Sequence, residues 1–201
     1  MARYTGPKWR KSRRYGADLW GNPKSMRRAY PPGPRSLRRR KISDRGQQLI
    51  EKQKVRFAYG LMEKQFRKVY ERAVRRTGVT GDNMMQMLEE RLDNVVYRLG
   101  FATTRPQARQ LVTHGLIAVE GKKLDVASAR VRLGQEISFA PRGQRSEYHA
   151  VLKEQIGSRD VPGWLEIDRE QLKGRMLQQA GPGDWEPHFV PSAVVEYYNS
   201  R

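Results

Sequence analysis

Residues 88–124, LEERLDNVVYRLGFATTRPQARQLVTHGLIAVEGKKL, leave little freedom in how they fold, because helix, turn and hairpin signals follow one another without slack. Met85, Leu88, Leu92, Val95, Val96 and Leu99 recur at helical spacing and predict one amphipathic helix. Asn83 and Gln86 have the spacing of a capping box for its start, and Gly100 suits the left-handed position at its end. Thr104 then caps a second helix with Gln107 as its capping-box partner, Pro106 is tolerated in the first turn, and Gly115 ends it. Ala108, Leu111 and Val112 face inward, which leaves Arg105 and Arg109, one turn apart, on the outer face.

Ile117 and Val119 alternate with Leu116 and Ala118 ahead of Glu120-Gly121-Lys122, so a strand runs into a tight turn of type II′. Leu124 and Val126 form the return strand, and Val131, Leu133, Ile137 and Phe139 add strand residues around Gly134. Three to five short antiparallel strands therefore follow two short helices. A basic helix backed by a compact hairpin is a grip for structured RNA.

Upstream, Ser43 or Asp44 caps a helix reaching about Tyr59, with Leu49, Ile50 and Val55 available to a core. Gly60 breaks it, and Met62, Phe66, Val69 and Ala73 continue as a helical stripe that Gly78 and Gly81 close. Downstream, 151–156 read as a short helix, 161–167 as extended, 171–180 as weakly helical and 181–183 as a loop. Val194, Val195, Tyr197 and Tyr198 fit a strand or a helical turn. Residues 1–42 are poor in aliphatic side chains and punctuated by Gly6-Pro7, Gly21-Asn22-Pro23 and Pro31-Pro32-Gly33-Pro34, the composition of an irregular arm. The chain is thus read as α+β: a basic arm (1–42), a mainly helical body (43–90 plus 180–201), an RNA-binding helix–hairpin module (91–145) and an extended or helical connection (146–179).

Charge narrows the function. The 40 Lys and Arg against 21 Asp and Glu give +19, and self-repulsion of that size calls for a polyanion. Residues 1–45 carry +13 and residues 91–145 carry +6, whereas 146–201 carry −3. The polyanion contact is therefore expected on the arm and the module, with the acidic tail facing protein or solvent. Arg10-Lys11-Ser12-Arg13-Arg14 and Arg38-Arg39-Arg40-Lys41 are the densest runs, and the guanidinium fork suits phosphate oxygens. The candidate RNA contacts are Arg3, Lys8, Arg10, Lys11, Arg13, Arg14, Arg38, Arg39, Arg40, Lys41, Lys54, Arg56, Arg105, Arg109, His114, Lys122 and Lys123. The arm's aromatics, Tyr4, Trp9, Tyr15, Trp20 and Tyr30, either stack on bases and riboses or pack back onto the helical body.

Other chemistry finds little support. With no cysteine, disulfides and thiolate metal sites are excluded, and His114, His149 and His188 have no ligand spacing. No Ser-His-Asp order, phosphate-cradling glycine loop or metal-spaced carboxylates occur. His114, at a helix end, is placed to cap or touch RNA rather than act as a base. Neither a span of roughly 18 apolar residues nor a secretory signal after MARYTGPKWRKSRR is present, so a soluble intracellular chain without membrane partner, cofactor or metal is expected.

MARYTGPK with KSRRYGADL, PPG, QLIEKQKVRFAYGLMEKQFRKVY, RLDNVVYRLGFATTRPQARQLVTHG, WLEID and VVEYYNSR occur in this order over nearly the whole chain. In that order and spacing the sequence resembles the bacterial small-subunit ribosomal protein four family. Its central part resembles the RNA-binding module shared with pseudouridine synthases, tyrosyl-tRNA synthetases and a heat-shock ribosome-recycling protein. The remaining segments match the ribosomal family and leave no room for a catalytic domain. The resemblance implies a non-enzymatic, cytoplasmic constituent of the small ribosomal subunit that binds its ribosomal RNA at a 5′-domain helix junction and nucleates assembly of the subunit body. It also implies contact with ribosomal protein five of the small subunit at a surface that influences decoding fidelity, and basic residues near the channel through which messenger RNA enters. Arg38, Arg39, Arg40 and Lys41 fall at the family's basic loop on that side, and Arg105 and Arg109 on the module's RNA-facing helix. The chain departs from the family in three places. It lacks the zinc-binding cysteines of many relatives, which predicts a metal-free arm. It has Val119-Glu120-Gly121 in place of Val-Asn-Gly, and Pro34-Arg35-Ser36 in place of a histidine-glycine. The rivals are an RNA-modifying or ribosome-recycling factor built on the same module, and a polycation that coats any nucleic acid.

Overall fold

The computed structural model describes residues 4–21, 23–28, 30–34 and 41–200. The chain divides into two compact units, Met1–Met85 with Trp185–Arg201, and Gln86–Asp184.

In the first unit, part of the arm is helical where irregular chain was expected. Helix α1, Lys8–Tyr15, ends at Gly16 in the left-handed region (φ 66°), whose N–H returns to the Ser12 carbonyl. Ser12 is fully buried and its hydroxyl accepts from the Leu19 amide at 3.4 Å. A 3₁₀ turn at Pro23–Met26 follows, held by Asp18 Oδ1 accepting from the Ser25 hydroxyl at 3.3 Å. Helix α2, Asp44–Ala58, is capped by Ser43, whose hydroxyl accepts from the Gly46 amide at 3.2 Å. Val55 is fully buried, but Leu49 is exposed and Ile50 only half-buried, so of the three expected core positions one is filled. Tyr4 and Tyr15 pack on Phe57 of α2 with ring centroids 5.1 and 5.9 Å away. That apolar anchor, more than forty residues along the chain, is why local composition does not announce α1.

Gly60 (φ 65°) separates α2 from α3, Glu63–Val74, in which Phe66 and Ala73 are buried while Met62 lies exposed just before the helix. Helix α4, Thr80–Glu89, starts earlier than the expected cap. Asn83 therefore lies inside it and its side-chain amide donates to the Thr77 carbonyl at 3.1 Å, while Gly81 belongs to α4 and does not close α3.

The predicted continuous helix through Leu99 is interrupted: α4 stops at Glu89 and α5 spans Leu92–Arg98. Arg91 is extended (φ −68°, ψ 137°), and the segment around Ala127–Val131 takes up the backbone groups of this joint. Leu92 N–H donates to the Ala129 carbonyl at 2.8 Å, Asp93 N–H to Ala127 at 3.2 Å, and Val131 N–H to Glu90 at 2.9 Å. A sequence stripe carries no sign of a partner more than thirty residues away. Gly100 (φ 78°) follows α5 as read. Helix α6, Arg105–Thr113, opens with the Thr104 hydroxyl accepting from the Gln107 amide at 3.3 Å; the Gln107 side chain reaches back to the Thr103 amide at 2.9 Å, one residue earlier than in a standard capping box.

Strands β1, Ile117–Val119, and β2, Lys122–Lys123, form the hairpin; β3, Glu136–Phe139, follows. Both turn residues have positive φ, Glu120 at 50° and Gly121 at 70°, the pattern of type I′ rather than II′. Positive φ is unfavourable for glutamate, and cross-strand ties hold it there: Glu120 N–H donates to the Glu136 carbonyl at 2.9 Å, and its carboxylate accepts from the Glu136 amide at 2.6 Å. The return strand is shorter than expected, with Val126 exposed, as is Leu133. Helices α7, Pro141–Gln144, and α8, Glu147–Gln155, lead through a 3₁₀ turn to β4, Leu165–Asp168, and β5, Lys173–Met176. The antiparallel sheet runs β2-β1-β3-β5-β4, with Ile137 of β3 opposite Gly174 of β5. Residues 171–180 thus contain a strand rather than a weak helix, and 146–179 belong to this unit rather than connecting it to another. Gly174 is the reason the sheet can close over α5: a Cβ there would stand 2.4 Å from Leu99 Cδ2, and Leu99 is fully buried. Val95, Val96, Phe101, Val112, Ile117, Ile137 and Trp164 fill the core.

The chain completes the first unit with α9, Pro191–Asn199, so Val194, Tyr197 and Tyr198 are helical. Glu63 of α3 collects α2 and α9: Lys52 Nζ lies 2.7 Å from Oε1 and the Tyr198 hydroxyl donates to the same oxygen at 3.0 Å. Burial opposes the charged carboxyl, but Lys52, Tyr198 and Arg56 outweigh it and hold the Glu63 pKa below its ordinary value, while burial and Glu63 push the Tyr198 phenol up.

Two outcomes follow. Glu63 stabilises the fold above the ordinary glutamate pKa of 4.5 and ceases to as pH falls through its depressed native value. Glu63→Gln should therefore unfold more readily than wild type at pH 7 and lose less stability on acidification, as read by denaturant titrations across pH. Gly174→Ala should destabilise the second unit by about 1–3 kcal/mol through overpacking, measured by amide hydrogen exchange of the strand residues 136–139 and 173–176.

Candidate RNA-binding interface

The site on the second unit is organised around a buried acid. Glu89 is fully buried and its carboxylate accepts two bonds from Arg98, at 2.9 and 2.7 Å, and one from the Asn94 side chain at 2.6 Å. Asn94 in turn accepts from Arg105 Nε at 2.8 Å, and the Arg105 guanidinium lies over the Tyr97 ring, 4.7 Å from its centroid. Beside this, Arg91 makes a bidentate pair with Asp93 at 3.0 and 2.8 Å, and Arg109 Nη1 stands 3.5 Å from the same carboxylate. Glu90 is paired to Arg130.

Arg105 and Arg109 therefore do not share a solvent-facing side. Arg109 is 7% exposed, and Arg105 is partly buried. The Arg105–Arg109 row borders the buried Ala108 and Val112 and is turned toward the first turn of α5, where Asp93 and Asn94 meet it. Helical spacing identifies the row and says nothing about what covers it.

Some of the cations that this unit presents outward lie at the other end of α6. His114 is exposed, and the edge strand β2 carries exposed Lys122 and Lys123. A Cβ on Gly115 (φ 68°) would fall 2.3 Å from Lys123 Cε and 3.0 Å from its Nζ. The Lys123 ammonium thus sits against the carboxyl end of α6, where the helix dipole favours a cation, next to His114. Arg132, Arg142 and Arg145 are exposed on the same unit, and sequence reading passed over them; the charge excess of 91–145 was their only signal.

On the first unit, Lys8, Arg10 and Arg14 of α1 are exposed, as is Lys41. Lys11 and Arg13 are engaged internally. Lys11 Nζ lies 4.8 Å from the Phe57 ring centroid, and Arg13 donates to the Tyr30 carbonyl at 3.2 and 3.0 Å and covers the Tyr30 ring. Burial, with the cations Arg14, Arg56 and Arg10 nearby, lowers the Lys11 pKa. No ion pair to these α1 cations occurs among the described residues. Lys54 is paired with Glu51 at 2.7 Å, and Arg56 bonds Gln53 at 2.7 Å and stands 3.6 Å from Glu63, so both are engaged within the first unit. Arg3, Arg38, Arg39 and Arg40 lie outside the described residues. Among the described residues no group of His, Asp and Glu is arranged to hold a metal, and no helix is long and apolar enough to cross a membrane.

A buried acid–arginine lattice under a helix–hairpin with exposed cations, in a chain with a basic helical unit, has the build of an RNA-binding protein. The comparisons agree. A family profile described as "Ribosomal protein S4/S9 N-terminal domain" matches residues 3–89, and one described as "S4 domain" matches 90–137. The "Small ribosomal subunit protein uS4" of Nocardia farcinica is 48% identical over 200 residues, that of Latilactobacillus sakei 47% over 203, and that of Dehalococcoides mccartyi 44% over 206. Each alignment covers 99% of this chain and 100% of the relative. The chain belongs to the small ribosomal subunit protein uS4 family, a family of structural, non-enzymatic proteins that bind small-subunit ribosomal RNA and reside in the ribosome in the cytoplasm.

The two kinds of cation should separate by experiment. Arg109→Ala is expected to destabilise the unit by about 1–3 kcal/mol and leave the salt dependence of RNA binding unchanged. Lys122→Ala with Lys123→Ala should cost less than about 1 kcal/mol of stability and reduce the slope of log affinity against log salt by about one to two.

Proposed function

We propose that this chain is a primary binder of small-subunit ribosomal RNA that clamps converging helices at a 5′-domain junction and nucleates assembly of the subunit body. One observation carries this reading: each unit offers its own set of exposed cations on ordered structure, Lys8, Arg10 and Arg14 on α1 and His114, Lys122 and Lys123 around the end of α6. Two such surfaces on one chain suit a partner in which separate backbone segments must be held at once. The deep, narrow major groove of A-form RNA denies side chains its base edges, so recognition rests on phosphates and shape. Arg109 is excluded from direct contact in this reading, and Arg105 acts chiefly by fixing α6 to α5. The resemblance supports three further roles: contact with ribosomal protein five of the small subunit, a contribution to translational accuracy, and placement of Arg38, Arg39, Arg40 and Lys41 near the channel where messenger RNA enters.

The purified chain should hold a synthetic 5′-domain junction of small-subunit ribosomal RNA against excess transfer RNA at about 0.3 M salt, where non-specific phosphate binding is heavily weakened. Equal competition by transfer RNA would reduce the chain to a general polycation.

A further inference from the structure

The arm contains several aromatics, and the structure accounts for most of those it describes. Tyr4 and Tyr15 are used as anchors on Phe57, and Tyr30 lies beneath the Arg13 guanidinium, 5.0 Å from its centroid. Trp20 is half-buried, next in the chain to buried Leu19. Trp9 differs: it is 52% exposed on the first turn of α1. Trp9 and Arg13 are one turn apart on the helix, and Lys8, Arg10 and Arg14 are exposed on the same two turns, so the indole shares this short helix with the exposed cations of α1. A large exposed apolar ring is costly in water, and the helix that carries this one holds five Lys and Arg among its eight residues.

The helix is also a firm mount. Ser12 and Tyr15 fix its inner side, and Gly16 terminates it. A ring on an ordered helix loses little freedom on binding, unlike one on a loose arm.

From these observations we propose that Trp9 is a stacking platform for an unpaired base of the bound RNA, with Lys8, Arg10 and Arg14 holding the phosphates on either side. The proposal rests on the RNA-binding reading above and narrows it: α1 reads a place where the junction leaves a base outside its helices, rather than duplex backbone alone. An indole face accepts any base, so the contact adds affinity with little sequence preference.

The test compares wild type with Trp9→Leu, which keeps an apolar side chain without a π face, and Trp9→Tyr, which keeps a ring. Circular dichroism confirms folding, and three probes are used: the junction fragment, an oligouridylate single strand, and phosphatidylserine vesicles. Trp9→Leu should bind RNA about 5- to 100-fold more weakly, with an unchanged salt slope because no charge is lost. Trp9→Tyr should retain most of the affinity, and the fluorescence quench on RNA binding should shrink in both variants. Wild-type affinity in Trp9→Leu overturns the proposal, as does a Trp9-dependent affinity for vesicles that exceeds that for RNA. Failure of the broader reading is seen separately, in wild type alone, as loss of preference for the junction over transfer RNA; the ratio of wild type to variant on either RNA still decides the role of Trp9.

Discussion

The fully buried carboxylate of Glu89 is the constraint on which the RNA-binding unit depends. An acid removed from water is tolerated only when its lone pairs are filled, and Arg98 and Asn94 fill them. Because Asn94 passes the contact on to Arg105, the same lattice fixes the crossing of α5 and α6. Breaking one member leaves the others buried without partners, so this part of the chain is specified more strictly than its apolar stripe alone would require.

The lattice also explains how a strongly basic chain stays folded. Arg91, Arg98, Arg105 and Arg109 are counted in the net charge, yet their guanidinium groups are committed to internal acids, an amide and a ring. The cations left for a polyanion lie outside that lattice, among them those on the outer face of α1, the edge strand β2, and Arg132, Arg142 and Arg145. Net charge therefore points correctly to nucleic acid but overstates how many side chains make the contact.

Much of this was legible in the sequence. Thr104, Gln107, Gly100 and Gly115 mark the helix ends because capping chemistry is local, and Ile117, Val119, Ile137 and Phe139 mark strands because alternation is local. What escaped was decided at a distance. The break at Arg91 is made by backbone bonds to Ala127 and Ala129, α1 forms against Phe57, and β5 forms beside β3 and β4. Leu172 illustrates the same point: its φ of 52° is unfavourable for a branched side chain, and full burial together with the turn bonds accepted by Asp168 holds it there. The inward turn of Arg109 belongs to this group, since one helix's periodicity cannot report the acid on its neighbour.

The proposed RNA contact divides the chain's basic residues into two populations, one that builds the protein and one that meets RNA. Covalent labelling of lysine and arginine side chains, read by mass spectrometry with and without the ribosomal RNA junction, tests it most directly. Lys8, Arg10, Arg14, Lys122 and Lys123 should react readily in the free protein and become protected in the complex, while Arg91 and Arg109 stay unreactive in both. Rapid labelling of Arg109 in the free protein, or undiminished labelling of Lys122 and Lys123 in the complex, would contradict the account.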